Sequence, residues 1–229
     1  MSTLKERLSH IQNRIAVACE RAHRQAGSVA LLPVSKTFDA SVMREAVGLG
    51  LHRFGENRLQ EIAQKAPDLS DCDVQWVVIG SVQTNKAKEV AKYASELQSL
   101  DRIELALALD KRLQDSDRTL DVLVQVKTSP EESKSGLAPE LLEGFLRQIA
   151  QLPTLRVKGL MTMAILSDDT QAVRHCFTQL RMWRDRMQDL AIEGISLDRL
   201  SMGMSGDFEI AIEEGSTEIR VGSALFGSR

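Results

Sequence analysis

The residues best suited to chemistry stand at the ends of short apolar runs, and a lysine is the most reactive of them. Lys36 follows the run 29–34, and an amine of this kind, once it has lost its proton, attacks an aldehyde carbon to form a Schiff base. Asn57, Ser201 and Arg220 lie within or after other such runs. Because most lysines are exposed and solvated, position alone leaves open whether Lys36 is reactive or an ordinary lysine at a strand end.

The C-terminal segment 201–223 concentrates Gly, Ser and Thr around two predicted turns between a strand and a helix. Such turns present backbone N–H groups and hydroxyls at helix N-termini, where hydrogen bonds and the helix dipole hold a phosphate group. Gly and Ser are also the ordinary residues of tight turns. The pattern therefore predicts either an anion site or tight turns without a ligand.

Motifs for other kinds of site are absent from the sequence. There is no GxGxxG after a strand and no GxxxxGK(S/T), so neither dinucleotide nor Walker-type nucleotide binding is supported. The four histidines lack the spacing of metal ligands, and Cys19, Cys72 and Cys176 lie far apart and outside any CxxC pattern. We expect reduced thiols and no bound metal.

The elements that must position these residues alternate along the whole chain. Thr3 and Glu6 form a predicted capping box that begins a long amphipathic helix ending before Gly27. After it, apolar runs predict strands at 29–34, 52–55, 74–79, 97–100, 119–126, 156–161, 199–202 and 219–221. Helical patterns separate most of these runs, at 40–50, 57–66, 84–94, 102–114, 138–150, 169–191 and 206–214.

This alternation predicts the fold class and the place of the site. Strands separated by helices indicate right-handed crossovers and a parallel sheet, and eight of them suit one α/β domain over residues 1–229, a closed (β/α)8 barrel. An open doubly wound sheet is the alternative. Residues 222–229 are too few for a full covering helix, so we expect the N-terminal helix to supply part of the outer layer there. In such a barrel the site lies at the carboxyl ends of the strands.

Composition and charge exclude several classes of partner. The 229 residues are 43% hydrophobic and 27% charged, which is typical of a soluble globular protein. The net charge of −3 provides no positive field for a nucleic acid or an anionic membrane. No apolar run approaches the roughly 18 residues of a membrane span, and the N-terminus lacks the apolar stretch of a signal peptide. We expect a cytoplasmic protein without nucleic-acid or membrane partners.

Six motifs, taken together and in order, resemble the pyridoxal phosphate homeostasis protein family. They occupy residues 30–37, 54–61, 79–86, 124–136, 159–163 and 200–207, and are followed by Arg-Val-Gly at 220–222. The resemblance covers nearly the whole chain. It implies a single (β/α)8 barrel similar to the N-terminal domain of bacterial alanine racemase, a fold type III barrel that binds pyridoxal 5′-phosphate (PLP).

The resemblance also implies a set of cofactor-binding residues but no metal ligand and no catalytic residue. PLP would be held as a Schiff base on Lys36, with its phosphate on Ser201 and on the backbone of Gly222 and Ser223, and with Arg220 facing the pyridine nitrogen. The full predicted set is Lys36, Asn57, Ser201, Gly215, Ser216, Thr217, Arg220, Gly222 and Ser223.

These assignments favour a carrier over an enzyme. PLP catalyses reactions by drawing electrons into a protonated pyridine ring, whereas Arg220 is a donor that would leave the nitrogen unprotonated. Racemisation needs two opposed bases, and the single tyrosine, Tyr93, is predicted near the end of a helix. We expect a monomeric protein of PLP homeostasis that binds, buffers or delivers the cofactor, with PLP-dependent apoenzymes or amino acids as partners, and without robust turnover.

Two other functions share the same residues. A PLP-dependent amino-acid racemase or lyase would use Lys36 as a base, and an aldolase without a cofactor would use Lys36 for a Schiff base with a sugar. Lys127 and Lys134 lie near a second turn with the sequence Ser-Lys-Ser, at 133–135. We expect them to be solvated loop lysines, and an additional aldehyde or phosphate site there stays open.

Overall fold

Eight short strands alternate with helices in the computed structural model, which describes residues 2–131 and 135–227. The strands are β1 Ala30–Pro33, β2 Arg53–Glu56, β3 Gln75–Val78, β4 Ala94–Leu100, β5 Leu120–Gln125, β6 Leu155–Met161, β7 Arg199–Ser201 and β8 Glu218–Val221. The α-helices are α1 Leu4–Arg21, α2 Ala40–Gly48, α3 Leu59–Lys65, α4 Ala87–Tyr93, α5 Ile103–Gln114, α6 Leu142–Ile149, α7 Thr170–Asp189, α8 Phe208–Glu213 and α9 Ser223–Phe226.

The strands form one parallel sheet that closes on itself. From β2 to β8 each strand pairs with the next one in chain order, and β8 pairs with β1. Between β1 and β2 the ring is joined by a bridge from Val34 to Gly55, where the N–H of Ser35 donates to the Gly55 carbonyl at 3.1 Å. The predicted (β/α)8 barrel is therefore confirmed, and the open doubly wound sheet is wrong.

Helix α1 belongs to the outer layer of the barrel and packs beside the last strands, as the sequence predicts. The capping box of Thr3 and Glu6 is present at its start. Arg7 donates to the carbonyl of Leu225 at 2.6 Å, and Arg14 pairs with Glu209 of α8 at 2.6 Å. These contacts hold α1 against α8 and the segment 225–226 in the outer layer.

The inside of the barrel is charged, while the apolar core lies between the sheet and the helices. Alternation along β4, β7 and β8 turns Leu97, Leu200 and Ile219 outward, and all three are fully buried against the helices. The residues beside them point inward. Strand β4 begins three residues before the predicted start at 97, because its inward positions are polar and extend the strand beyond the apolar run.

Four inward charges and an amide form an ion-pair cluster that we call the barrel floor, made of Arg53, Glu96, Gln98, Arg199 and Glu218. Arg53 of β2 contacts both carboxylates at 2.9 Å, and Arg199 of β7 contacts them at 2.7 and 2.8 Å. The Gln98 amide nitrogen donates to Glu96 at 2.7 Å and to Glu218 at 2.5 Å. Side chains from four strands thus satisfy one another across the interior.

Candidate functional site

A cavity of about 320 Å³ opens at the carboxyl ends of the strands. This volume is in the lower part of the range of small-molecule sites. Its lining combines apolar side chains with an amine, a guanidinium and small turn residues: Val34, Lys36, Asn57, Ile79, Met161, Met163, Met204, Ser205, Gly206, Arg220, Gly222 and Ser223. Five of the nine predicted cofactor-binding residues are therefore brought together in one place.

Lys36 and Asn57 form one wall of the cavity, directly after β1 and β2. The Lys36 side chain is exposed, and its amine has no hydrogen-bond partner among the described residues. Gly80, after β3, allows the Asn57 backbone to approach, since a Cβ at position 80 would lie 2.1 Å from the Asn57 carbonyl oxygen. The wall thus presents a primary amine and an amide to a ligand.

Arg220 lies on β8, the strand that pairs with β1, and lines the cavity although it is almost fully buried. Its guanidinium donates to Ser201 Oγ at 2.7 Å and to the carbonyl of Thr162 at 2.7 Å. Burial lowers the pKa of Arg220 to about 10, against the opposing effect of Glu218 and Asp207. The group therefore stays charged at neutral pH, and no hydrogen bond of its Nε–H to a described residue is present.

The orientation of Arg220 is fixed by a relay that begins at the barrel floor. The Gln98 amide nitrogen donates to both carboxylates of the floor. The Gln98 oxygen therefore faces the other way and accepts from Ser201 Oγ at 2.7 Å. The Ser201 hydroxyl has then used its proton, so it accepts from Arg220. Ser201 is fully buried and does not line the cavity.

Two turns supply backbone N–H groups to the cavity. Neither the N–H groups of Ser205 and Gly206 nor those of Gly222 and Ser223 donate to any described residue. A Cβ on Gly222 would lie only 3.1 Å from the Val34 carbonyl oxygen, so glycine keeps this turn close to β1. Free N–H groups on adjacent turns are an arrangement that binds anions.

The turn after β7 is shaped by two residues that the ligand does not need to touch. Gly203 has a φ of 96°, and a Cβ there would lie 2.6 Å from the Cβ of Ala211. The Asp207 carboxylate accepts from the N–H of Met204 at 2.5 Å, and burial raises the pKa of Asp207. This closure leaves the next two N–H groups, those of Ser205 and Gly206, without an acceptor among the described residues.

The expectation for Gly215, Ser216 and Thr217 is corrected by their position. They precede β8, whereas the cavity is formed by residues that follow the strands or end them. The Ser216 hydroxyl lies within hydrogen-bond distance of backbone carbonyls, including that of Met202 at 2.8 Å, and Thr217 Oγ1 accepts from the N–H of Leu200 at 2.8 Å. These residues join β7 to β8 and do not reach the cavity.

Ser205 and Gly206 belong to the segment 201–223, for which the sequence predicts either an anion site or tight turns without a ligand, but the sequence does not single them out among its members. Methionine packs by default in hydrophobic cores. Met161 is buried and also lines the cavity, together with Met163 and Met204. The sequence signal for all of them was their place directly after β6 and β7.

The other candidate residues lie elsewhere. Lys127 follows β5 and does not line the cavity, and Lys134 lies outside the described residues. Tyr93 is the last residue of α4, before β4, and thus at the opposite end of the strands from the cavity. Within 2–131 and 135–227, no group of three metal-ligating side chains is present, and no helix is both long and apolar enough to cross a membrane.

The fold and the site define the class of the protein. The chain is an eight-stranded α/β barrel with an amine and unpaired backbone N–H groups at the carboxyl ends of its strands, and it matches the family model "Alanine racemase, N-terminal domain" over residues 7–229. An alanine racemase of Clostridium difficile 630 has the same fold, with a TM-score of 0.75 at 13% identity, covering 99% of this chain and 56% of that one.

Relatives of nearly the same length narrow the class. A pyridoxal phosphate homeostasis protein of Aquifex aeolicus is 43% identical and covers 98% of this chain and 97% of its own. The pyridoxal phosphate homeostasis protein of Escherichia coli K12 is 35% identical, and the match covers 100% of this chain and 98% of that one. The chain belongs to the pyridoxal phosphate homeostasis protein family. The structure of PipY from Synechococcus elongatus, solved with PLP bound, is 34% identical, with a TM-score of 0.87, covering 98% of this chain and 100% of that one.

Proposed function

We propose that this chain binds pyridoxal 5′-phosphate and serves its homeostasis in the cytoplasm by holding, buffering or delivering it, without robust turnover. The observation that carries this proposal is the meeting, in one cavity, of the Lys36 amine with four backbone N–H groups that have no partner among the described residues. The names of the relatives and the PLP bound to PipY support the same conclusion.

The residues of the cavity fit the three functional groups of PLP. Lys36 Nζ would attack the aldehyde carbon to form a Schiff base, with the carbonyl oxygen leaving as water. The N–H groups of Ser205, Gly206, Gly222 and Ser223 would receive the phosphate. The apolar side chains between them suit an aromatic ring.

Arg220 determines what the bound cofactor can do. PLP is a strong electron sink when its pyridine nitrogen is protonated and a weaker one when it is not. The Arg220 guanidinium is charged and offers only donors, so a nitrogen facing it accepts a hydrogen bond and stays unprotonated. This arrangement stabilises a bound cofactor more than it stabilises a substrate carbanion.

The same geometry disfavours the racemase alternative. Tyr93 is the single tyrosine of the chain and ends α4, away from the cavity, so it cannot serve as a second base opposite Lys36. We propose accordingly that the chain works as one monomeric PLP-binding barrel domain over residues 1–229. Light scattering of the purified protein tests the monomer, which a dimer mass would contradict.

The decisive experiment maps the attachment of the cofactor. The protein loaded with PLP is reduced with borohydride and digested, and the modified peptide is identified by mass spectrometry. We expect the adduct on Lys36, with Lys127→Ala as a matched control that leaves it unchanged and Lys36→Ala as the variant that removes it from this peptide. An adduct mapped elsewhere in the native protein would contradict the proposal.

Two further measurements separate the alternative functions. A purified protein that stays colourless on addition of PLP would favour the cofactor-independent aldolase. Incubation with single enantiomers of amino acids, followed by chiral analysis, tests the racemase. Racemisation that is fast and depends on Lys36 would refute the carrier function.

A further inference from the structure

The turn that carries Lys36 is held from outside the barrel by helix α3. On one side of Lys36, the Lys65 amine donates to the Ser35 carbonyl oxygen at 2.9 Å. On the other side, the Glu61 carboxylate accepts from the N–H of Thr37 at 2.6 Å. The peptide groups before and after the reactive lysine are therefore both fixed by side chains of one helix, which do not line the cavity themselves.

This turn has a conformation that needs support. Thr37 has a φ of 68°, in the left-handed region, where a β-branched residue is an outlier. Such a conformation persists only where the surroundings hold it, and it recurs at ligand-binding sites. The hydrogen bond to Glu61 is the contact that holds the strained residue.

The two holding residues are themselves anchored by charge. The Lys65 amine contacts Glu56 at 2.6 Å and Glu61 at 3.3 Å, and Glu56 also accepts from the Ser35 hydroxyl at 2.7 Å. Glu56 is fully buried, and its Oε2 has no hydrogen-bond partner in the part of the chain that the structure describes. Burial raises the pKa of Glu56, although Lys65 and Ser35 counteract the shift.

A buried ion cluster of this kind adds little to the free energy of unfolding compared with apolar residues of similar size. Buried ion pairs lose most of their attraction to the cost of desolvation, and apolar residues of similar size stabilise a fold as well or better. What an ion cluster provides is a fixed geometry for the groups it contacts. Here those groups are the two peptide units beside Lys36.

We propose that Glu61 and Lys65 are positioning residues, which hold the turn around Lys36 so that its amine faces the cavity before an aldehyde arrives. This inference rests on the proposed function of Lys36. Holding a reactive group in place before binding reduces the entropic cost of forming the bond. Neither residue needs to touch the ligand, because both act through the backbone.

The test uses two ligands that differ only in the aldehyde. PLP reacts with Lys36, whereas pyridoxine 5′-phosphate, with an alcohol in that place, uses the remainder of the cavity. In Glu61→Gln, a neutral amide replaces the charged acceptor, and we expect about tenfold weaker binding of PLP with unchanged binding of pyridoxine 5′-phosphate. Titration followed by absorbance for PLP and by calorimetry for the alcohol gives both affinities.

Two variants serve as controls. Glu143→Gln removes the carboxylate of an exposed pair with Arg147 at the same helical spacing, and it should change neither affinity. Thr37→Gly removes the strain, because glycine adopts a positive φ without cost. In that background we expect Glu61→Gln to weaken PLP binding only about threefold.

The outcomes separate positioning from a general structural role. If Glu61→Gln weakens both ligands equally, the residue supports only the fold, and the inference is overturned. If it changes neither affinity, the inference is overturned as well. If the native protein forms no adduct on Lys36, the proposed function fails first, which borohydride mapping detects before any variant is made.

Discussion

The barrel floor and the cavity lie at two levels of the same barrel interior, and both contain charged residues. They differ in whether their polar groups have hydrogen-bond partners. At the floor, the two arginines, the two carboxylates and Gln98 satisfy one another. At the cavity, the Lys36 amine and the N–H groups of Ser205 and Ser223 have no partner among the described residues. Residue type therefore does not distinguish structure from function here. The presence of donors without acceptors does.

The largest effect should come from breaking the floor. In Glu218→Gln, Arg53 and Arg199 lose a charged acceptor inside the barrel. We expect the free energy of unfolding to fall by about 2–3 kcal/mol, somewhat less than for a fully buried pair because both arginines are partly exposed. Urea unfolding followed by circular dichroism measures it.

The control for this variant is Glu89→Gln, which removes the carboxylate of an exposed pair with Lys86. Its cost should stay below about 0.5 kcal/mol. Equal costs in the two variants would mean that the floor contributes no more to stability than a surface pair.

The next effect concerns the relay that connects the two levels. Ser201→Ala removes an acceptor from Arg220 and a donor from Gln98. We expect a loss of about 1–2 kcal/mol in the free energy of unfolding and, in addition, weaker PLP binding, because Arg220 loses its fixed orientation.

Ser95→Ala is the matched control, since it removes a hydrogen bond to the Trp76 carbonyl outside both regions. It should lower stability without changing the affinity for PLP. Unchanged affinity in Ser201→Ala would show that Arg220 is oriented without the relay.

The cavity should respond in the opposite way, losing affinity and not stability. Ser223→Asp places a negative charge on the exposed turn that offers N–H groups to an anion. We expect about tenfold weaker binding of pyridoxine 5′-phosphate, with stability unchanged to within about 0.5 kcal/mol. Calorimetric titration measures the affinity, and the neutral Ser223→Asn is the control. A loss of the same size in both variants would count against a phosphate at this turn.

The smallest effect is the response of the floor to acid. Burial raises the pKa of Glu218, but Arg199 and Arg53 outweigh it, so the pKa lies below its usual range. A carboxyl group with a lowered pKa in the folded state contributes stability above its ordinary value of about 4.3, and this contribution is lost as the pH falls through the folded value.

We therefore expect the thermal midpoint of the native protein to fall more steeply below about pH 4.3 than that of Glu218→Gln. Thermal unfolding at a series of acidic pH values compares the two proteins. Parallel curves would show that another carboxyl group governs the acid response.

Much of this architecture follows from the sequence. Apolar runs and their alternation with helical patterns predict all eight strands, and the capping box at Thr3 and Glu6 marks the start of α1. Lys36, Asn57 and Arg220 follow from their places at the carboxyl ends of strands. The early start of β4 does not, since polar inward residues such as Glu96 look like loop residues until the barrel closes around them.

The site could be predicted only in part, for two physical reasons. Gly215, Ser216 and Thr217 have the same turn chemistry as Gly206 and Ser223, and composition does not tell which end of a short strand a turn occupies. The support of the Lys36 turn depends on contacts from a helix more than twenty residues further along the chain, which only the folded chain brings together.

The sparse pairing between β1 and β2 has a consequence for the binding and release of PLP. These two strands share a single bridge, whereas β5 and β6 are paired along their length. Local opening is favoured where two strands share few backbone hydrogen bonds. This joint lies beside Lys36, whose amine would carry the cofactor. Local opening at this joint would separate the Lys36 turn from the Asn57 side of the cavity, while β8 and the turn after it stay paired with β1. Among the strands, we therefore expect the backbone amides of residues 53–56 to exchange faster than those of β5 and β6.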